Sequence, residues 1–437
     1  MDDQAGQKPA HSGAVLQRLC NNDSSLRSVD FHRVLGEEGA IEVAGAMAAN
    51  TVLTHLSMCS MHIGDAGTAA ITSVLRSDNS TVTKLDLGRN DCTDLGASYV
   101  AGMLKRSMVI RTLNLSFNLV GEQGASSLAH ALSANHALAV LDLSFNRIGP
   151  GGARALAVAL EENSSLSELY LSANNTIGEG ATQLARALAV NSSLTTLQLD
   201  SNNISAAGVG MMLAALASNT TLTDLSLAAN KFGDGGIQTL SAGISTLTRL
   251  DLSSNRLTAV GAGVVAGWLV SNSSLQVLSL SCNRLHAEGL QKLAAALSRN
   301  STLKMLDLHA CRIGDCGGGL VADLLSANTA LTDLELRGNG LELKGMGQIG
   351  QALLARPRPA GGNFGVTGVK LCRLQQLLAL PAWSAGWSND RTLRFFWEQH
   401  DRRTAFCMLG HHRLGELSVW SQLEAGVLRL VLSFPTH

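Results

Sequence analysis

The sequence predicts an α/β solenoid: a horseshoe with a parallel sheet on its concave face, helices on its convex face, and a small, mainly helical segment at the C-terminal end. Three observations predict it. The chain repeats itself about every 28 residues, as solenoids do. Every repeat divides into a strand-like half and a helix-like half. The composition, with 44 Gly, 6 Pro and 4% aromatic residues, suits a backbone that turns often and packs small aliphatic side chains.

The repeat follows the pattern L-x-x-L-x-L-x-x-N. Its first apolar anchors are Leu26, Leu53, Val82, Ile110, Leu138, Leu166, Leu194, Leu222, Leu247, Leu275, Leu303 and Leu331. These twelve units are separated by 27, 29, 28, 28, 28, 28, 28, 25, 28, 28 and 28 residues. Such regularity overrides the prior of about three domains that the chain length alone would suggest.

The first half of a unit, as in Leu138-Ala-Val-Leu141-Asp-Leu143, alternates apolar and polar residues like a short strand. The second half, as in Gly152-Ala-Arg-Ala-Leu156-Ala-Val-Ala-Leu160, spaces Leu four apart among Ala, which predicts a helix with an apolar inner stripe. A strand and a helix in each unit leave no room for an antiparallel return. The strands therefore run parallel on one side and the helices on the other. Strands pair at about 4.8 Å whereas helix axes stand about 10 Å apart, so the stack curves with its sheet inward.

Two further positions belong to the pattern. Asn falls eight residues after the anchor at Asn90, Asn118, Asn146, Asn174, Asn202, Asn230, Asn255, Asn283 and Asn339, with Met61 and Cys311 in its place in two units. A buried Asn there can bond the backbone of neighbouring coils and form a ladder. Gly falls fourteen residues after the anchor in all eleven units from Leu53 onward, from Gly67 to Gly345. At the start of a helix it lets the backbone turn or approach a neighbour closely.

With this period, and phrases such as LDLSFNRIGPGGARALAVALEENSSL, the chain resembles the leucine-rich repeat superfamily and its ribonuclease-inhibitor-like subclass. That subclass includes the sensor ends of NOD-like receptors and Ran GTPase-activating protein. The resemblance covers roughly residues 26–356 and implies a horseshoe that binds proteins. The alternation of Asn and Cys units found in ribonuclease inhibitor is absent here.

Residues 1–25 are polar and read as a flexible lead into a degenerate first unit. The solenoid spans 26–358, and Arg356-Pro-Arg-Pro-Ala-Gly-Gly-Asn363 breaks its pattern. Residues 359–437 differ in composition, with Trp383, Trp387, Trp397 and Trp420 against a single earlier Trp268. They read as a helical cap over the last repeat, which a solenoid requires, or as an adaptor segment. Leu423–Phe434 resembles a degenerate F-box or SOCS-type helix, which would make the chain a ubiquitin-ligase substrate receptor, but the Leu-Pro opening of an F-box is missing.

The position four after each anchor should point out of the concave sheet. It holds Ser57, Asp86, Asn114, Asp142, Tyr170, Gln198, Ser226, Asp251, Ser279, Asp307 and Glu335: five carboxylates and no cation. Phe117 and Phe145, with His309 and Arg337, flank this stripe. One reading is an ordinary soluble strand surface. The other is a docking surface for a basic protein partner, with Tyr170, Phe117 and Phe145 as aromatic anchors.

Other groups read as structural. Asn-x-Ser/Thr triplets at Asn79, Asn163, Asn191, Asn219, Asn272 and Asn300 recur where a helix gives way to the next strand, a place for a turn rather than a glycan. His400, Cys407, His411 and His412 match no standard zinc spacing, and of Cys311 and Cys316, which share one unit, Cys311 takes the ladder position and reads as a buried residue. Neither a phosphate-binding G-x-x-x-x-G-K-S/T loop nor a G-x-S-x-G elbow is present, so no enzyme, no metal and no cofactor is expected.

Thirty-three Lys+Arg against 34 Asp+Glu give a net charge of −1, and no basic run occurs, so a nucleic-acid partner is not expected. Neither a signal-peptide pattern nor an apolar membrane-length run is seen, and eight scattered Cys fit a reducing compartment, so the expectation is a cytoplasmic chain without a membrane partner. Together these features predict an interaction scaffold that binds a protein through its concave face. Small-GTPase activation of the Ran type is the alternative. Against it, the early units keep 27–29 residues, without an insertion, and the tail after Pro359 is not acidic.

Overall fold

A computed structural model describes residues 10–76, 81–176, 178–241, 243–355 and 365–367. Within them, thirteen three-residue strands from β1 (Ser28–Asp30) to β13 (Gly365–Thr367) form one sheet in strict chain order. Every neighbouring pair is parallel and in register, as in Leu113 opposite Leu141 and Leu141 opposite Leu169. Helices alternate with the strands and form the second layer.

Each strand is short because its middle residue does the burying. Leu85, Leu113, Leu141, Leu169, Leu197, Leu225 and Leu250 are fully buried, while the residues on either side of them face away from the helices. The helices supply the opposite wall. In Gly149–Glu162 the buried residues are Gly152, Ala153, Leu156, Ala157, Ala159 and Leu160, the predicted inner stripe. One core runs between the layers, about 0.8 kcal/mol deeper for each buried methylene.

Two rows of asparagine bind coil to coil. In the strand-side row, Asn118 donates to the carbonyls of Leu87 and Leu115, both at 3.0 Å, and its Oδ1 accepts from the amides of Asn90 at 3.0 Å and Cys92 at 2.9 Å. A second row stands at the helix ends. Asn163 donates to Leu132 O at 2.8 Å and Asn135 O at 2.9 Å, and accepts from the amides of Ser165 and Leu166. Asn191, Asn219 and Asn300 repeat this geometry, while Asn272, after the short unit, keeps one carbonyl, Ile244 O at 3.0 Å. These triplet asparagines are 3–7% exposed, so a glycan could reach none of them without unfolding the coil. Asn79 lies outside the described residues.

The glycine at position fourteen serves approach rather than turning, since none of the eleven has a positive φ. A methyl group on Gly152 would come within 2.8 Å of the Ala125 Cβ, and one on Gly180 within 2.8 Å of the Ala153 Cβ. Adjacent helices meet there.

The structure departs from the sequence reading in three places. Ala10–Cys20 forms a helix inside the stretch expected to be a flexible lead. The sheet runs one strand past the expected boundary at 358, because Gly365–Thr367 supplies hydrogen-bond partners to the edge strand Asp333–Glu335. The 25-residue unit keeps its strand but replaces the α-helix by a four-residue 3₁₀ turn, Asp234–Ile237. Its Gly235, Gly236 and Gly243 disfavour a helix. Apart from Gly365–Thr367, the segment 359–437, with its tryptophans and the His400, Cys407, His411 and His412 group, lies outside the described residues.

Candidate protein-binding face

The strand-end residues stand side by side. Ser57 pairs with Asp86, and the register continues through Asn114, Asp142, Tyr170, Gln198, Ser226, Asp251, Ser279, Asp307 and Glu335. At the spacing of paired strands, successive side chains are about 4.8 Å apart. Ser226 and Glu335 are buried, and the others are half-buried.

All five acids in this row also close the turn that follows their strand. The amide two residues on donates to a carboxylate oxygen of Asp86 at 2.9 Å, Asp142 at 2.8 Å, Asp251 at 2.9 Å, Asp307 at 2.9 Å and Glu335 at 2.8 Å. Asn114 accepts the same bond from Ser116 at 2.8 Å and donates to Asp86 at 2.9 Å. One oxygen of each acid thus serves the fold. Burial pushes the Asp142 and Asp251 carboxyls above the ordinary carboxylate range, against the lowering effect of these bonds.

A second outward row, not singled out from the sequence, comes from the first residue of each strand. It includes His55, Lys84, Thr112, Val140, Glu168, Thr196, Asp224, Arg249, Val277, Met305 and Asp333. The same alternation that exposes position four exposes position two, so the signal was present. Lys84 and Arg249 place cations beside the acidic row, and Arg249 Nε stands 3.7 Å from Asp224 Oδ2. The face is thus mixed, with acid in excess.

Asp200, six residues after its anchor, is a further acid on this face. It accepts from the Ser226 hydroxyl, from the Ala228 amide at 3.0 Å and from Ser172 Oγ at 3.4 Å. Burial, reinforced by the nearby Asp251 charge, pushes its carboxyl up to about 7.

The aromatic residues divide into two groups. Phe117 and Phe145 stack with ring centroids 4.1 Å apart and planes 5° from parallel, and the Arg89 guanidinium lies 3.9 Å from the centre of the Phe117 ring. Tyr170 instead donates its hydroxyl to Glu168 Oε2 at 2.6 Å. From Ser60 onward, the position seven after each anchor is left-handed. Ser60, Ala173, Ser201, Ala229 and Ala310 share it, yet Phe117 (φ 56°) and Phe145 (φ 58°) hold it as well. A non-glycine residue there costs about 1–2 kcal/mol, and the repeating turn holds it in that conformation in unit after unit.

Among the described residues no group of three or more His, Cys, Asp and Glu side chains is placed to hold a metal ion. Cys311 is buried in the ladder position and Cys316 is exposed; both are free thiols. No described helix is long and apolar enough to cross a membrane.

Seven segments match the family model described as "Leucine Rich repeat": residues 78–101, 106–129, 134–157, 190–213, 218–241, 243–266 and 271–294. Among solved structures, the chain is similar to one from the crystal structure of the Rad7 and Elc1 complex in yeast. Identity is 17%, TM-score 0.51, and 86% of this chain and 90% of that one are covered. An internalin (inlF) from Listeria monocytogenes str. 4b F2365 aligns with 17% identity and TM-score 0.45, covering 77% of this chain and 91% of that one. No curated protein matches.

Proposed function

We propose that this leucine-rich repeat protein is a non-enzymatic scaffold whose sheet face binds a protein with a basic surface. The observation that carries this reading is the unbroken register from Ser57 to Glu335, which presents four half-buried carboxylates, Asp86, Asp142, Asp251 and Asp307, in one row on a rigid backbone. A face fixed by two asparagine ladders loses little conformational entropy on binding. Asp142, Asp251 and Asp307 attract the partner, Asp86, Asn114 and Gln198 extend the contact, and Tyr170 with the Phe117–Phe145 pair supplies apolar anchors. The reading needs no cofactor.

Asp142, Asp251 and Asp307 should be changed together to Asn rather than to Lys. Asparagine keeps the oxygen that accepts from Ser144, Ser253 and His309 and removes only the charge. Partner capture from a cell extract, compared by quantitative mass spectrometry, should then fall while thermal melting holds. Capture undiminished in the triple variant rejects this face.

A further inference from the structure

A basic row runs along the loops that lead from strand to helix in four successive coils. Lys231, Arg256, Arg284 and Arg312 each stand nine residues after their anchor, and all four are exposed. In sequence they lie 25, 28 and 28 residues apart, so no basic run marks them. Among the described residues, none of the four has an ion-pair partner within 4 Å.

Their backbone is held firmly. Asn255 Oδ1 accepts from the amide of Lys231 at 2.9 Å. Asn283 Oδ1 accepts from the residues on both sides of Arg256, Asn255 and Leu257. Asn339 Oδ1 does the same around Arg312, through Cys311 and Ile313. Arg284 donates its own amide to Leu257 O at 2.8 Å and bridges Thr258. The asparagine ladder fixes where three of these side chains start, and backbone bonds fix the fourth, Arg284.

The two acids of the same loops are turned into the next coil. Asp234 accepts from the amides of Thr258 and Gly261, and Asp315 from those of Glu342 and Gly345. These bonds direct each carboxylate at a helix start instead of at the row.

We infer that this row is a second interaction surface, separate from the strand face, which takes an acidic protein segment in extended conformation. At about 4.8 Å per coil the four cations span roughly 15 Å, the reach of about five extended residues. The row is one side chain wide, one cation in each of four successive coils. A single chain with carboxylates on one side fits that strip. A nucleic-acid duplex, with phosphates along two strands, calls for a broader basic surface than a single file of four cations.

The test uses the full chain and a fluorescent decaglutamate peptide, read by anisotropy at low salt. Lys231→Gln, Arg256→Gln, Arg284→Gln and Arg312→Gln together should weaken binding about tenfold or more, and added salt should erase the difference. Because all four side chains are exposed, melting should not move. A set with Glu at the same positions should abolish binding. The Asn triple variant of the strand face should bind decaglutamate at least as well as the wild type, so failure of that face and of this row can be told apart. Equal binding by wild type and the Gln set overturns the inference. So does selective loss of oligothymidylate or phosphatidylserine vesicles from the Gln set with no decaglutamate binding to either form.

Discussion

The Asp65 carboxylate occupies the space a side chain on Gly96 would need. Asp65 Oδ1 accepts from the Gly96 amide at 2.9 Å, and a methyl group on Gly96 would come within 2.5 Å of that same oxygen. The carboxylate also takes the amide of Thr93 at 2.8 Å, so an acid of one coil caps the helix of the next. Asp94 does this for Gly121 and Gly124, and Asp234 for Thr258 and Gly261.

Gly96→Ala should therefore destabilise the chain by about 2 kcal/mol in urea denaturation, because the clash involves a held carboxylate and the Cys92 side chain. Gly102, in the same helix but with nothing within 4 Å of its missing Cβ, is the control. Gly102→Ala should stabilise by about 0.5–1 kcal/mol. Equal effects at both sites would refute the packing explanation.

Cys311 fills a ladder position with a thiol that donates to Leu280 O at 3.1 Å. Asparagine there would add the carbonyl acceptor that Asn283 offers to Asn255 and Leu257. Cys311→Asn should raise stability by about 1 kcal/mol, visible as a higher urea midpoint with an unchanged slope.

Thiol reactivity should follow burial. Burial pushes the Cys92 and Cys311 thiols up to about 12, leaving almost no thiolate at neutral pH. Cys20, Cys282 and Cys316 are exposed. Timed alkylation mapped by mass spectrometry should label Cys20 and Cys316 first, and Cys92 and Cys311 only on unfolding.

Asp200 should give stability a pH dependence opposite to that of an ion-paired acid. Its folded pKa of about 7 lies above the ordinary carboxylate value of 3.8, so between these pH values the native state holds the proton and the unfolded chain has lost it. Stability falls as pH rises from about 4 to about 7 and then levels off. Because the carboxyl keeps some contact with water, the effect should be about 1–2 kcal/mol. Asp200→Asn should flatten the pH profile over that window and unfold at higher urea than the wild type at pH 8.

The fold was legible because it rests on burial at fixed intervals. Leu85, Leu113 and Leu141 must each sink between sheet and helices, and a missing Leu would show at once. The asparagines were legible for the same reason, since a buried amide needs partners at every coil. Exposed groups obey no such rule. Lys231, Arg256, Arg284 and Arg312 form a row only after coiling, and the Asp86 or Asp142 carboxylates look like free surface charges until their turn-closing bonds are seen. The helix lost between Asp234 and Leu247 was concealed by an intact strand pattern, although its glycines and its three-residue deficit were there to be read.

The most direct test of the strand face as the docking surface is site-specific photo-crosslinking. A benzoylphenylalanine replaces Tyr170 on the sheet in one sample, and Val158, 54% exposed on a helix, in another. With the captured partner present, crosslinks should form from position 170 and not from position 158. Crosslinks from 158 alone would contradict the account.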